Sequence, residues 1–121
     1  MNDTTDTRQQ ILEAAMERIV HYGYSKTTMS EIAKDCNMSA GNIYRFFASK
    51  LDIAEAIGRK FNSELYQTYA SICRKPITAA DRLRQFFEFS MVRTYEALEE
   101  KDKLVELAET LADERPLFMN E

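Results

Sequence analysis

The stretch Thr28 to Ser39, TMSEIAKDCNMS, places two helix-start signals in one short segment. Thr28-Met29-Ser30-Glu31 fits a capping box, in which a Thr side chain and a Glu three residues later satisfy the free backbone donors of a helix start. Ile32, Ala33 and Cys36 then share one inward face. Asn37 falls where a left-handed turn residue is wanted, and Asn tolerates that conformation better than most. Met38 plugs the core at the turn, and Ser39 caps the next helix. A chain punctuated in this way cannot continue as one long helix. It must fold back as two short helices around Asp35 to Ser39, which is the spacing of a helix-turn-helix.

The second of these helices is the candidate reader. Ile43 and Phe47 lie four apart and face inward. Ala40, Asn42, Tyr44 and Arg45 are left for the outer and flanking faces. Small residues, an amide, a phenol and a guanidinium close to a helix start are what a DNA major groove can use.

The rest of the chain supports an all-α fold. Pro and Gly number only two and three in 121 residues, while helix formers are plentiful. Ile11, Leu12, Ala15 and Ile19 predict an amphipathic helix over about Thr7 to Tyr22, ended by Gly23. Ser49 caps a long helix from Lys50, with Ile53, Ile57, Phe61, Leu65 and Tyr69 recurring every fourth residue. It should stop near Cys73 or Arg74, because Lys75 precedes Pro76. At about 1.5 Å per residue it spans on the order of 35 Å, enough to join two subdomains. A further helix starts at Ile77 or Thr78 and carries Leu83, Phe86, Phe87, Val92 and Tyr95. Charged residues Glu99 to Lys103 mark a break. Leu104, Leu107, Ala108 and Leu111 form a short helix, and Pro116 could open one more.

The net charge of −4 argues against a generic nucleic-acid binder, but its distribution says otherwise. Met1 to Thr94 carries 13 basic and 11 acidic side chains, a balance of +2, whereas Tyr95 to Glu121 carries 3 and 9, a balance of −6. The acidity belongs to the tail, and the candidate reading region is mildly basic. Cys36 and Cys73 lack metal-type spacing and read as buried small apolar residues, with a redox sensor as the lesser alternative, and His21 reads as structural or solvent-facing. No phosphate loop, zinc signature or nucleophile elbow is present, so neither an enzyme, a metal nor a cofactor is expected. No apolar run reaches the roughly 20 residues of a membrane span, and MNDTTDTRQQ lacks the features of a signal peptide. A cytoplasmic location is the default expectation.

The run TTMSEIAKDCNMSAGNIYRFFASKLDI, Thr27 to Ile53, resembles the DNA-binding signature of TetR-family transcriptional regulators. The Thr-Thr start, the Ile-Ala pair, the Ser-x-Gly-x-Ile-Tyr run, Phe47 and the Ser-Lys opening of the long helix fall in register, over about residues 8 to 60. Asn37 stands where the family usually has a turn Gly. Family members are usually considerably longer, with a dimer interface mainly from their last two helices. The chain is therefore expected to be truncated, proteolysed or naturally short, with its end at Asn120-Glu121 favouring a fragment.

The resemblance implies a helix-turn-helix domain over about residues 1–50. Residues 51–121 would then hold a connecting helix and the start of a ligand-binding and dimerisation domain. It implies a regulator, usually a repressor released by a small-molecule effector. The partners implied are double-stranded DNA, as a palindromic operator, and a second copy of the full-length chain, without a membrane. Motif match assigns DNA contacts to Thr28, Ser30, Ser39, Ala40, Gly41, Asn42, Tyr44, Arg45 and Lys50. Thr28 and Ser39 combine capping with phosphate contact, and Ser30 is a phosphate contact against simple capping as the plainer reading. Ala40 and Gly41 allow close approach, and Ala40 can meet a thymine methyl. Asn42 and Arg45 can read bases, and Tyr44 and Lys50 hold phosphate. Phe61, Tyr66, Tyr69, Phe86, Phe87, Phe89, Met91 and Tyr95 are candidates for an apolar effector pocket, against core packing as the plainer reading. A helical interaction module without specific DNA binding is the rival from another class. A small hydrolase or redox enzyme would need a catalytic cluster the sequence does not show. An activator or global regulator is the rival within DNA binding.

Overall fold

A computed structural model describes residues 3–100 and 102–116 of the chain. The described residues form six helices and no strand: α1 (Asp3–Tyr22), α2 (Met29–Asp35), α3 (Ala40–Ile43), α4 (Lys50–Arg74), α5 (Ala79–Glu100) and α6 (Asp102–Glu114). The helix expected from Pro116 falls, beyond that residue, outside the described part.

The helix ends follow from local chemistry. α1 stops at Gly23, whose φ of 93° suits glycine alone among common residues and whose N–H donates to the Ile19 carbonyl at 2.8 Å. The Thr27 hydroxyl donates back to the Gly23 carbonyl at 2.8 Å and is itself buried. The Thr28 capping box forms in full: the Glu31 N–H donates to Oγ1, and the Thr28 N–H donates to the Glu31 carboxylate. α2 ends in a Schellman motif. Asn37 takes φ 56°, its N–H donates to the Lys34 carbonyl at 3.1 Å, and the Met38 N–H reaches back to Ala33 at 3.0 Å. Asn37 thus does the work of the usual glycine.

Two compact units result. One comprises residues 1–58 with 102–121, and the other residues 59–101. The first two turns of α4 bury Ile53, Ala54 and Ile57 in the first unit's core, and α6 returns to the same core through Leu107 and Leu111. Ile11, Ala15, Ile19, Ile32 and Ile43 complete its centre, each fully buried. At about 25 cal/mol per Å² of apolar area, each of the buried isoleucines contributes on the order of 1.5–3 kcal/mol, and Ala15 less.

Polar contacts fix the surround. Arg18 of α1 grips Asp35 with two guanidinium nitrogens and Glu31 with a third contact at 3.1 Å, pinning α1 to α2. Its hydrogen bond holds the Asp35 carboxyl below the usual range. At the far end, Arg115 binds Asp52 at 2.8 Å and Glu55 at 3.0 Å, tying the end of α6 to the start of α4.

The second unit is a helical hairpin. Thr78 caps α5 by accepting the Asp81 N–H at 3.1 Å. The Tyr69 ring stacks on Phe86 with centroids 4.0 Å apart and meets Phe89 edge-on at 5.2 Å. The Tyr69 and Ser90 hydroxyls share a hydrogen bond of 2.7 Å.

Candidate nucleic-acid interface

The candidate reading surface is built outward from α3. Ile43 and Phe47 are buried, and they root the helix in the core. Ser39 caps it, its Oγ accepting the Asn42 N–H at 3.1 Å. A hydroxyl that accepts in a cap still has its proton to donate elsewhere. Regular α-helix ends at Ile43, shorter than the sequence suggests. The backbone nevertheless continues in helical bonds, from Arg45 N–H to Asn42, Phe46 N–H to Ile43 and Phe47 N–H to Ile43, so Tyr44 and Arg45 keep helical placement.

With the apolar side fixed inward, Ala40, Gly41, Tyr44 and Arg45 all lie exposed, and Asn42 is half-buried. Tyr44 keeps 53% of its surface in solvent. A Cβ added at Gly41 would meet nothing within 4 Å. Packing within the chain therefore gives no reason for a glycine there.

The flanking residues divide. Ser30 is exposed on α2. The Thr28 hydroxyl is committed to its cap, donating to Glu31 Oε1 at 2.9 Å as well as accepting from the Glu31 N–H. Lys50 opens α4 with its Nζ donating to the Tyr24 carbonyl at 2.9 Å and lying 4.1 Å from the Tyr24 ring centroid. One ammonium proton is thus used on the α1–α2 loop, and two others are available in chemical principle to a phosphate. Burial pushes the Tyr24 phenol above its ordinary pKa.

Sequence reasoning missed Glu106. From α6, its Oε1 accepts the Ser25 N–H at 2.9 Å, in the loop that leads to α2. The separation of 81 residues left no local signal to find it.

The effector-pocket candidates lie in the 59–101 unit and divide as well. Tyr69, Phe86 and Phe89 pack together, whereas Phe61, Tyr66, Phe87, Met91 and Tyr95 are exposed. Among the described residues no group of three or more His, Cys, Asp or Glu is placed to hold a metal ion. No helix there is long and apolar enough to cross a membrane.

An all-α protein with a capped helix-turn-helix and an exposed polar reader belongs to the class of helix-turn-helix DNA-binding folds. More particularly, residues 11–57 match the family described as bacterial regulatory proteins, tetR family. The relatives agree. An uncharacterized HTH-type transcriptional regulator, YvkB of Bacillus subtilis, is 43% identical over 42% of this chain and 27% of its own. The fatty acid metabolism regulator protein of the same organism is 30% identical over 61% of this chain and 38% of its own. Among solved structures, the TetR-family transcriptional repressor FadR of Thermus thermophilus, in complex with lauroyl-CoA, superposes with a TM-score of 0.68 at 25% identity. That match covers 93% of this chain and 57% of FadR. The chain thus spans well under two thirds of the relatives it matches.

Proposed function

We propose that the protein is a sequence-specific DNA-binding transcriptional regulator, acting as a repressor that a small-molecule effector releases. The observation that carries this reading is the two-sidedness of α3. Ile43 and Phe47 hold it to the core, while Ala40, Gly41, Tyr44 and Arg45 present small and polar groups outward. In this reading Asn42 and Arg45 contact base edges, and Ala40 and Gly41 let the backbone come close. Ser30, Ser39, Tyr44 and Lys50 hold phosphates, with Thr28 shaping the start of α2.

One reader contacts too few bases for tight specificity. The operator is accordingly a palindrome and the working species a dimer, with half-sites about one helical turn apart. Release follows from population shift. An effector that favours a geometry in which two readers no longer match successive major grooves lowers operator affinity. The route proposed within this chain is α6, which touches the loop before α2 through Glu106 and the start of α4 through Arg115. The aromatic residues of the 59–101 unit supply effector contacts. Three findings support the reading: the tetR-family match, the regulator relatives and the lauroyl-CoA complex of the repressor FadR.

Selection of bound fragments from genomic DNA tests it. A recurrent palindromic sequence is the expected result, and the genes beside it point to the effector class. Recovery of DNA without any shared sequence would leave the helical interaction module as the better reading.

A further inference from the structure

Among the described residues, one cation of the hairpin unit has no ion-pair partner. Arg93 of α5 lies with its guanidinium carbon 4.1 Å from the centroid of Phe61 and 5.9 Å from that of Phe89. Its Nη2 is buried and has no hydrogen-bond partner. Ring faces offset part of the charge but leave the N–H directions unmet. A buried donor without an acceptor is disfavoured relative to one that is paired, so this arrangement favours an added acceptor.

The surroundings define what that acceptor would carry. Phe61, Arg93, Phe89, Tyr69 and Phe86 follow one another in contact, making a row of rings with the cation towards one end. Two neighbouring arginines of α5 are occupied: Arg84 pairs with Asp81 and Glu88, and Arg82 donates to the Lys75 carbonyl. Arg93 is the cation set among these rings, and its planar fork matches a carboxylate. The ring over the guanidinium, Phe61, is itself 44% exposed, so this end of the row borders solvent.

We propose that Arg93 anchors the carboxylate of an amphipathic monocarboxylic acid, whose apolar body lies along Phe61, Phe89, Tyr69 and Phe86. This rests on reading the 59–101 unit as the effector-binding part of a regulator, and it adds the ligand's chemical class.

The test is calorimetric titration of the protein with octanoate, octanol and octyl phosphate, for wild type, Arg93→Met and Arg93→Lys. Octanoate should bind wild type more tightly than octanol does. Arg93→Met should weaken octanoate by tenfold or more and leave octanol unmoved, with Arg93→Lys between. Equal binding of octanoate and octanol, octanoate binding indifferent to Arg93→Met, or no octanoate binding overturns the proposal. Tighter binding of octyl phosphate through Arg93 overturns the carboxylate assignment. Melting by circular dichroism checks each variant. Should Arg93→Met unfold, the wild-type comparison of acid with alcohol and the Arg93→Lys titration decide alone. Genomic selection on the same protein separates this from the regulator reading. Specific DNA without octanoate binding removes the Arg93 site only. Octanoate binding through Arg93 without specific DNA supports the site and removes the regulator.

Discussion

Glu106 and Ser25 are joined across most of the chain: the carboxylate of α6 accepts the backbone N–H of the α1–α2 loop at 2.9 Å. Its second oxygen stands 2.8 Å from where a Cβ on Gly23 would be. One acidic side chain thus rests on the turn that ends α1 and on the loop that leads into α2.

The first prediction concerns that turn. Gly23→Ala meets two obstacles, a φ of 93° and the Glu106 carboxylate. The carboxylate is the end of a flexible side chain and can move aside, so the backbone conformation dominates the cost. A loss of about 1–2 kcal/mol is expected for an L-residue held there. Urea unfolding measures it. Stability equal to wild type would show that α1 can end without a left-handed residue.

The second concerns pH. Hydrogen bonds from Ser25 hold the Glu106 carboxyl below its ordinary pKa, with smaller help from Lys103 and Lys50. A folded-state pKa below the unfolded one means stabilisation that is present above the unfolded value. It is lost as pH falls through the folded value. The α6 contact should therefore weaken in the acid range, below the ordinary glutamate pKa. Asp35, lowered by Arg18, has the same sign, so the variant Glu106→Gln separates the two. Amide exchange at Ser25 should rise on acidification in wild type. In Glu106→Gln it should vary less with pH once intrinsic exchange is divided out. An identical pH response in both proteins would show that Glu106 does not hold the loop.

These contacts also show where sequence reading stops. The α2–α3 turn was legible because each of its determinants is local. Thr28 and Glu31 cap one helix, Asn37 supplies the left-handed residue and Ser39 caps the next, all within bonding reach along the chain. The placement of α6 was not legible. Its apolar residues Leu107 and Leu111 predict a helix but not the core it joins, and Arg115 finds Asp52 and Glu55 from 63 and 60 residues away. Helical periodicity equally could not say which aromatics of α5 would be covered. Phe86 and Phe87 are neighbours in sequence, yet one stacks on Tyr69 and the other is 64% exposed.

The third prediction uses the open space at Gly41. Gly41→Ala should fold as well as wild type, or gain up to about 1 kcal/mol from a less flexible unfolded chain. Gly41→Leu should also fold, because a Cβ there meets nothing within 4 Å. Both should bind operator DNA more weakly, Leu far more than Ala. Melting temperature and gel-shift affinity together check this. Full DNA affinity in Gly41→Leu would remove Gly41 from the interface.

The last prediction separates contacts that position from contacts that specify. Tyr44 and Arg45 are both exposed on the reader, so neither Tyr44→Phe nor Arg45→Ala should change stability by more than about 0.5 kcal/mol. Tyr44→Phe removes the hydroxyl proposed to donate to phosphate and should weaken all DNA sequences alike. Arg45→Ala should cost about 1–3 kcal/mol on the preferred site and relax one position of each half-site. Lys50→Ala differs from both, because its ammonium also holds the Tyr24 carbonyl at 2.9 Å. It should lower stability by about 1 kcal/mol through that lost bond, and reduce the salt slope of DNA binding by about one unit through the lost phosphate contact. Affinity measured against salt, with urea unfolding beside it, resolves the two effects. An unchanged salt slope with reduced stability would assign Lys50 to the Tyr24 loop alone, and an unchanged selected motif in Arg45→Ala would take Arg45 out of the base-reading set.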